Sequence, residues 1–326
     1  MYAMKKIRNA IVGLGRIGSI LEDDRYREKP CTHAGAIALN PDCVLAAGCD
    51  IAENRQKLFI KRWNCHRVYS NIDDMLKEEN PGILHIATPP DTHLEMVEKA
   101  LYHNVKLAIC EKPLEENRDD AFEIARIHRS VKMIILTNHE RRYSKDYVLV
   151  KKHIKNKTFG SLLSIYSKLY MEQNEKLYKV LLHDGTHLVD IIQFLTTAKL
   201  KKISVQESLN RSRGTSFIFS SAGHVPCIIE VGAGRNHLVF ELDLSFASGR
   251  IKIGNGLYEE YASDTSPYYE GVNSLKKKET AGFSSTGYFS NMLKDAVKCL
   301  KNSSHTPVSS AIDGYNAVAF ISSLTS

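Results

Sequence analysis

The residues best suited to chemistry lie in two short stretches, and the first is Glu111-Lys112-Pro113 at the end of an apolar run. The run from Val105 to Ile109 predicts a buried strand, and Pro113 keeps Lys112 extended where that strand stops. In open α/β sheets, ligands bind outside the carboxyl ends of the strands. A lysine fixed at that edge can lie close to a ligand and stabilise negative charge on one of its oxygens.

The second stretch is His183-Asp184-Gly185-Thr186-His187, with Asp190 three residues further on. His183 and His187 are four residues apart, so a helix places them on one face, while Leu188 begins the packed face. Imidazole has a reference pKa of about 6.5 and can take up or release a proton around neutrality. Asp190, one turn beyond His187, can orient its ring.

A glycine motif near the start of the chain predicts a dinucleotide site. The apolar strand Ile7 to Val12 leads into Gly13-Leu14-Gly15-Arg16-Ile17-Gly18, which has the pattern G-x-G-x-x-G. The first glycine permits a tight turn, the second lets the backbone approach a pyrophosphate, and the third lets the next helix pack closely. The helix that is expected to follow offers free N–H groups to the phosphates. A strand directly before the motif is the context that it requires.

The second predicted strand, Val44 to Cys49, ends at Asp50. A carboxylate there can accept hydrogen bonds from the ribose hydroxyls and would repel a 2′-phosphate, so NAD is favoured over NADP. Arg55 could accommodate that phosphate, which keeps NADP possible. The separation of Gly13 and Asp50 is wider than the motif requires. The charged stretch 19–32 accounts for the excess as an inserted loop on the cofactor side.

Strands that alternate with helices up to residue 139 predict a doubly wound α/β sheet of the Rossmann type with parallel strands. The carboxyl ends of these strands then share one edge, and the polar residues that follow them are expected to line one crevice. These residues are Gly13, Asp50, Thr88, Glu111, Lys112 and Asn138. From residue 140 the pattern changes, and we therefore predict two domains, 1–139 for dinucleotide binding and 140–326 with an α+β fold.

The second domain is predicted to hold an antiparallel sheet, because successive alternating strands follow one another through short turns. In the strand 237–246, Leu238, Phe240 and Leu242 alternate with polar residues, which is typical of one buried and one exposed face. A turn is expected at Ala247-Ser248-Gly249 and a polar loop over 264–287. Two final helices are predicted over 288–300 and about 310–323.

Composition excludes several classes of partner. The 326 residues carry a net charge of +7, but the lysines are spread along the chain without an aromatic RNA-binding signature, so nucleic acid is not expected. No apolar run approaches the ~18 residues of a membrane span. The N-terminal stretch before Gly13 is too short for a secretory signal, and the seven cysteines include no C-x-x-C pair. We therefore expect a cytoplasmic protein with reduced thiols.

Taken together, these motifs make the chain resemble the Gfo/Idh/MocA family of oxidoreductases (glucose–fructose oxidoreductase and inositol 2-dehydrogenase). The resemblance spans nearly the whole chain and rests on the glycine motif, Thr88-Pro89 with His93, Glu111-Lys112-Pro113, and Gly185-x-His187-x-x-Asp190. It implies a Rossmann domain followed by an α+β domain with an open, mostly antiparallel sheet, through which members often form dimers or tetramers. The cofactor contacts that it implies beside the glycine motif are Thr88, Pro89, His93, Glu111, Lys112 and Pro113.

The resemblance further implies an NAD(P)-dependent enzyme that acts on a small molecule, a sugar, cyclitol or related secondary alcohol or ketone. His187 would be the general base and Lys112 would hold the substrate oxygen, so both must flank the same carbon. Arg142, His183 and Asp184 would also bind the substrate. Many members carry an aspartate where this chain has His183, and Asp184 lies ~100° further round a helix.

Two other functions stay open at this stage. His183-Asp184-Gly185-Thr186-His187 has the H-E-x-x-H pattern of zinc hydrolases with Asp in place of Glu. Against it, Gly185 is poor inside a metal-binding helix and no third ligand stands out downstream. A non-catalytic sensor would bind the dinucleotide without carrying out chemistry, and the unusual His183 is compatible with that function.

Overall fold

The computed structural model describes residues 6–130, 133–280, 282–283 and 285–325. The first sheet consists of β1 (Ile7–Val12), β2 (Cys43–Cys49), β3 (Val68–Tyr69), β4 (Ile83–Ile86), β5 (Leu107–Cys110) and β6 (Ile134–Thr137). Its strands are all parallel and lie in the order β3-β2-β1-β4-β5-β6. This order confirms the predicted doubly wound sheet and places all carboxyl ends on one edge. Val131, which the sequence would include in β6, lies outside the described residues.

Five α-helices connect these strands: α1 (His33–Leu39), α2 (Glu53–Trp63), α3 (Ile72–Glu79), α4 (His93–Tyr102) and α5 (Arg118–Ser130). Local signals explain several of their ends. Asn71 caps α3 by accepting hydrogen bonds from the N–H groups of Asp73 and Asp74. Helices α2 and α3 end where Asn64 and Asn80 adopt the left-handed conformation that asparagine tolerates.

The second sheet consists of β7 (Leu162–Tyr170), β8 (Leu200–Gln206), β9 (Gly214–Ala222), β10 (Val225–Ala233), β11 (Val239–Phe246), β12 (Gly249–Gly254), β13 (Leu257–Thr265) and β14 (Asn273–Lys277). Their order is β14-β13-β12-β11-β7-β10-β9-β8. The pair β7 and β10 is parallel and the other neighbours are antiparallel, which confirms a mostly antiparallel sheet. The remaining helices are α6 (Lys145–Asn156), α7 (Leu177–Val180), α8 (Thr186–Thr196), α9 (Tyr288–Lys301) and α10 (Ala311–Ser322).

The sequence does not predict the three strands β12, β13 and β14. Gly249, expected in a turn, is the first residue of β12. The loop expected over 264–287 begins at the end of β13 and contains β14. The side chains of β14 are mostly exposed, so its sequence lacks the alternation of apolar and polar residues that identifies a half-buried strand.

The described residues divide into two compact units. One unit runs up to Tyr143 and resumes over Gly287–Val318, and the other comprises Ser144–Thr286 and the residues from Ala319. The predicted boundary at 139/140 would put α9 in the second domain. In the structure, Phe289 and Met292 of α9 belong to the same buried cluster as Leu14, because α9 presents its apolar residues on one face.

Among the helices that the structure describes, none combines the length and the apolar character that a membrane crossing needs. The seven cysteines are buried free thiols.

Candidate active site

The three glycines of the G-x-G-x-x-G motif are required for three different reasons. Gly13 has a φ of +90°, and a side chain there would also overlap the backbone carbonyl of Ala87. A side chain at Gly18 would overlap the carbonyl oxygen of Gly13. At Gly15 the nearest atom to an added Cβ is 3.8 Å away, on the guanidinium of Arg55, which leaves room for a ligand to approach the backbone.

The chain after the motif differs from the expected continuous helix. A turn follows Gly15, in which Ser19 N–H donates to the Gly15 carbonyl at 3.0 Å, and α1 begins only at His33. The N–H groups of His33 and Ala34 donate to the carbonyls of Ile17 and Gly18 at 3.1 Å each. The charged stretch 19–32 is therefore an insertion that interrupts a single helical path, which accounts for the wide separation between the motif and Asp50.

Asp50 is buried and its carboxylate fixes the glycine turn. Its two oxygens accept hydrogen bonds from the N–H groups of Leu14 and Ala52, each at 2.9 Å, and Arg55 Nη1 lies 3.4 Å from Oδ2. Leu14 is 1% exposed, so its side chain belongs to the core and only its backbone faces Asp50. Arg16 is exposed and Ile17 packs against the core cluster.

A crevice of about 470 Å³ lies at the carboxyl ends of β1, β2 and β4. Its lining includes Gly13, Gly15, Asp50, Arg55, Thr88 and Pro89. Thr92 Oγ1 donates to Thr88 Oγ1 at 2.8 Å, which fixes the turn after β4. The crevice thus brings together predicted cofactor residues from three separate strands, as the parallel topology requires.

His93 links two turns of the same edge. Its Nδ1 lies 3.1 Å from the carbonyl oxygen of Leu114, and its Nε2 lies 3.0 Å from that of Thr88. Burial lowers the pKa of His93, although these carbonyls counteract part of that effect. The sequence predicts a cofactor contact here. Because the side chain has no exposed surface, any role of His93 in cofactor binding would act through the two turns.

The turn after β5 is held by its glutamate. Glu111 is 7% exposed and accepts hydrogen bonds from His33 Nε2 at 2.9 Å and Asn138 Nδ2 at 2.6 Å. Burial alone would raise the pKa of Glu111, but the hydrogen bond and charge of His33, followed by Asn138 and Lys112, leave that pKa below its ordinary value. Lys112 is half-buried, Pro113 is buried, and the peptide bond between them is cis.

Sequence reasoning missed the rest of this polar network. His33 Nδ1 lies 2.9 Å from His85 Nδ1, and His85 Nε2 lies 3.0 Å from Asn9 Oδ1. All three side chains have no exposed surface. We refer to Asn9, His85, His33, Glu111 and Asn138 as the buried polar network. A signal was present, since Asn9 and His85 are polar residues inside mostly apolar strands.

Arg142 has contacts other than those expected of a substrate ligand. It is 6% exposed, donates to the carbonyl oxygen of Val308 at 2.8 Å, and forms an ion pair with Asp313 at 3.1 Å. Val308 lies between α9 and α10, and Asp313 lies in the first turn of α10. Arg142 therefore holds the segment 308–313 in place within the first unit.

The histidines of the second unit lie on an irregular helix. Leu181–Gly185 forms a π-helical turn between α7 and α8, so His183 and Asp184 are not on the regular helix that the sequence predicts. Such turns are rare and occur often at functional sites. His183, Asp184 and His187 are half-buried and Asp190 is 1% exposed.

The zinc alternative finds no support in the described part of the chain. A cluster of three metal-ligand side chains occurs there at Asp295, Cys299 and His305, and it includes neither His183 nor His187. Asp295 is already engaged, because Tyr143 and the N–H of Val308 donate to it at 3.0 and 2.8 Å.

Comparisons with known proteins agree with the geometry of the first unit. Residues 7–139 match the family Gfo/Idh/MocA, described as an oxidoreductase family with an NAD-binding Rossmann fold. A myo-inositol 2-dehydrogenase from Thermotoga maritima is 26% identical over 154 residues, which make up 47% of this chain and 42% of that protein. The chain thus matches less than half the length of this curated relative.

Two solved structures show the same fold over almost the whole chain. An oxidoreductase from Desulfitobacterium hafniense, described as NADPH-dependent, superposes with a TM-score of 0.81 at 17% identity and covers 100% of this chain and 95% of its own. An oxidoreductase from Agrobacterium radiobacter, in complex with NAD⁺, L-tartaric acid and magnesium, superposes with a TM-score of 0.73 at 16% identity. The superposition covers 98% of this chain and 95% of that one. Residues 7–139 of this chain are thus identified as an NAD-binding Rossmann domain of the Gfo/Idh/MocA oxidoreductase family.

Proposed function

We propose that this protein is an NAD(P)-dependent oxidoreductase that interconverts a secondary alcohol and a ketone in a sugar, cyclitol or related small molecule. The observation that carries the proposal is the shared edge of the parallel sheet. There the glycine motif, the crevice beside Asp50 and the Glu111-Lys112 turn follow neighbouring strands of one sheet. In open α/β sheets this edge is where a dinucleotide and its substrate bind.

The residues present fit a dinucleotide. Gly15 leaves the backbone open to a pyrophosphate, and Asp50 lines the crevice where ribose hydroxyls would bind. Oδ1 of Asn138 is buried and has no hydrogen-bond partner among the described residues, while its Nδ2 donates to Glu111. A buried acceptor without a partner is costly, so this oxygen suits the amide N–H of a nicotinamide. When bound, the nicotinamide would accept or supply the hydride.

The side chains of the protein would handle the proton and the developing charge. Lys112 would hold the substrate oxygen and stabilise negative charge on it. His187 would take the hydroxyl proton as the hydride leaves the same carbon. His183 or Asp184 would bind a neighbouring hydroxyl of the substrate.

Lys112→Ala and His187→Ala test these roles in a screen of polyols and sugars, with turnover followed by NADH absorbance. We expect each variant to lose at least about 100-fold in kcat, because each removes a group that acts on the reacting oxygen. Lys57→Ala, on an exposed helix face with Glu53 as its ion-pair partner, is the matched control. Near-normal turnover in either variant would contradict its role.

A non-catalytic sensor is the second candidate, favoured by His183 at the position where many family members have aspartate. It predicts NADH binding, followed by nicotinamide fluorescence, with no turnover of any compound in the screen. A homo-oligomeric state and a cytoplasmic location stay predictions from the sequence.

A further inference from the structure

We infer that His33 is a positioning residue: as a buried imidazolium between Glu111 and His85, it holds Glu111 as a carboxylate and thereby sets the Glu111-Lys112 turn. The inference rests on the proposed function, because the turn matters only if Lys112 acts on a ligand. It concerns a residue outside every motif that the sequence identifies, since the insertion 19–32 separates His33 from the glycine motif.

The charge of His33 follows from the direction of the hydrogen bonds. Asn9 Nδ2 donates to the carbonyl of Ile7 at 2.8 Å, so its Oδ1, 3.0 Å from His85, is an acceptor. His85 must therefore donate from Nε2, and complete burial of its side chain holds the pKa of His85 well below its ordinary value. A neutral His85 has one N–H only, which leaves its Nδ1 as an acceptor.

His33 consequently donates from both ring nitrogens. Its Nδ1 must donate to the acceptor nitrogen of His85 at 2.9 Å, and its Nε2 faces Oε1 of Glu111 at 2.9 Å. A carboxylate accepts and does not donate. An imidazole that donates from both nitrogens is the charged imidazolium, so His33 and Glu111 form a buried ion pair.

The charges around the pair support this distribution of protons. Lys112 adds a positive charge beside Glu111 and favours its ionised form. Burial raises the pKa of Glu140, and the charge of Glu111 raises it further against Arg141, Lys112 and Arg27. Glu140 therefore competes only weakly with Glu111 for the positive charges of Lys112, Arg141 and Arg27.

The network also connects the elements that form the edge of the sheet. Asn9 lies on β1, His85 on β4, Glu111 after β5 and Asn138 after β6, while His33 begins α1. Asn138 N–H donates to the carbonyl of Cys110 at 2.7 Å, which ties the last two strand ends together. Loss of the proton from His33 would affect the Glu111-Lys112 turn directly, because His33 is hydrogen-bonded to Glu111.

Histidine ring-¹⁵N NMR of the full chain at a pH of about 7.5 tests the charge without substrate or cofactor, because an ordinary histidine is mostly neutral there. His33→Gln assigns the signals. We expect two protonated nitrogens for His33 in the wild type and a neutral ring in Glu111→Gln. His128, whose Nδ1 accepts from the N–H of Ile135 at 3.0 Å, is the matched neutral control. A neutral His33 in the wild type would overturn the inference.

A double-mutant cycle tests the positioning role. His33→Gln is expected to lower kcat by roughly 10- to 100-fold, as small displacements of a catalytic group do, while the Kd for NADH changes by less than about fivefold. The double variant His33→Gln/Glu111→Gln should have a kcat only slightly lower than that of Glu111→Gln alone, because the two side chains act as a unit. Losses that multiply would show independent roles and overturn the inference.

The two proposals can fail separately. His128→Gln is the control for a histidine outside the network and should leave kcat unchanged. If the wild type turns over no compound in the screen, the proposed function fails. The NMR result, which needs neither substrate nor cofactor, then still decides for or against the ion pair of His33 and Glu111.

Discussion

The two stretches that carry the candidate chemistry are held in place by different forces. The Glu111 turn, residues 111–113, is fixed by hydrogen bonds among the polar side chains of the buried polar network. The His187 helix, residues 181–196, is fixed by aliphatic side chains such as Leu181, Leu188 and Ile192, which have no exposed surface. We expect the first to respond to changes of charge and pH, and the second to changes of volume.

The difference also explains how each stretch directs its functional groups. Charged hydrogen bonds set both the place and the protonation state of a group. Aliphatic packing sets only its place, and in the His187 helix the π-helical turn at 181–185 changes the direction of His183 and Asp184 relative to a regular helix. At Gly185 the packing is close, because an added Cβ would lie 3.0 Å from Leu181 Cδ2.

The largest effect is expected from Glu111→Ala, which removes the carboxylate of the buried ion pair and with it the acceptor of the hydrogen bonds from His33 and Asn138. Removing one partner of a buried ion pair costs about 3–5 kcal/mol of the free energy of unfolding. Urea unfolding of the full chain, followed by circular dichroism, measures this loss. Glu53→Ala removes an exposed glutamate of the pair with Lys57 and should leave the free energy of unfolding unchanged. Equal losses of unfolding free energy in Glu111→Ala and Glu53→Ala would contradict the view that a buried ion pair holds the Glu111 turn.

A loss of about 2–5 kcal/mol is expected from Leu181→Ala, because it opens a cavity in the His187 helix. Leu181 has no exposed surface, whereas Leu163, at 53% exposure, provides the matched control. The loss should be the same at low and high salt, since no charge is involved. A strong salt dependence of the loss would show that polar contacts also hold this helix.

Much of the first unit could be predicted from the sequence, because its strands are buried on both faces. Runs such as Ile7–Val12 and Ile83–Ile86 are mostly apolar, and a residue of the site, Gly13 or Thr88, follows within two positions. The parallel topology then brings those ends to one edge without any knowledge of side-chain contacts. This explains why Gly13, Asp50 and Thr88 could be placed in one crevice.

The other features of the site depend on contacts between residues that are distant in the sequence, and local sequence patterns do not predict such contacts. The insertion 19–32 hides that His33 continues the helical path after Gly18, so its bond to Glu111 could not be anticipated. The π-helical turn at 181–185 departs from the regular period of 3.6 residues on which the sequence prediction relies. In the sequence, most of the second unit separates helix α9 from the glycine motif, and only the structure shows that α9 shares a buried cluster with Leu14.

A pH effect of intermediate size should come from His85. Because its folded-state pKa is lowered, the unfolded chain binds a proton below pH ~6.5 that the folded chain does not. This contribution makes the free energy of unfolding fall by up to about 1.4 kcal/mol per pH unit as the pH drops below that value. His85→Gln should reduce the slope, measured by urea unfolding between pH 5 and 7. His66→Gln, at an exposed site, should not change it, and a slope unaffected by His85→Gln would contradict the assignment.

The smallest effect is expected at the exposed end of the crevice. Arg55 is half-exposed and lies 3.4 Å from the buried Asp50, so Arg55→Ala should change the affinity for NAD by no more than about fivefold, equivalent to ~1 kcal/mol. The affinity for NADP should fall by about tenfold or more if Arg55 binds the 2′-phosphate, because hydrogen bonds to charged groups contribute ~1.5–3 kcal/mol. Titrations of both nucleotides by fluorescence, with Lys57→Ala as the control cation on the same helix, separate these outcomes. Equal weakening of both nucleotides would instead mean that Arg55 acts through Asp50, which would extend charge-based positioning from the Glu111 turn to the cofactor end of the sheet.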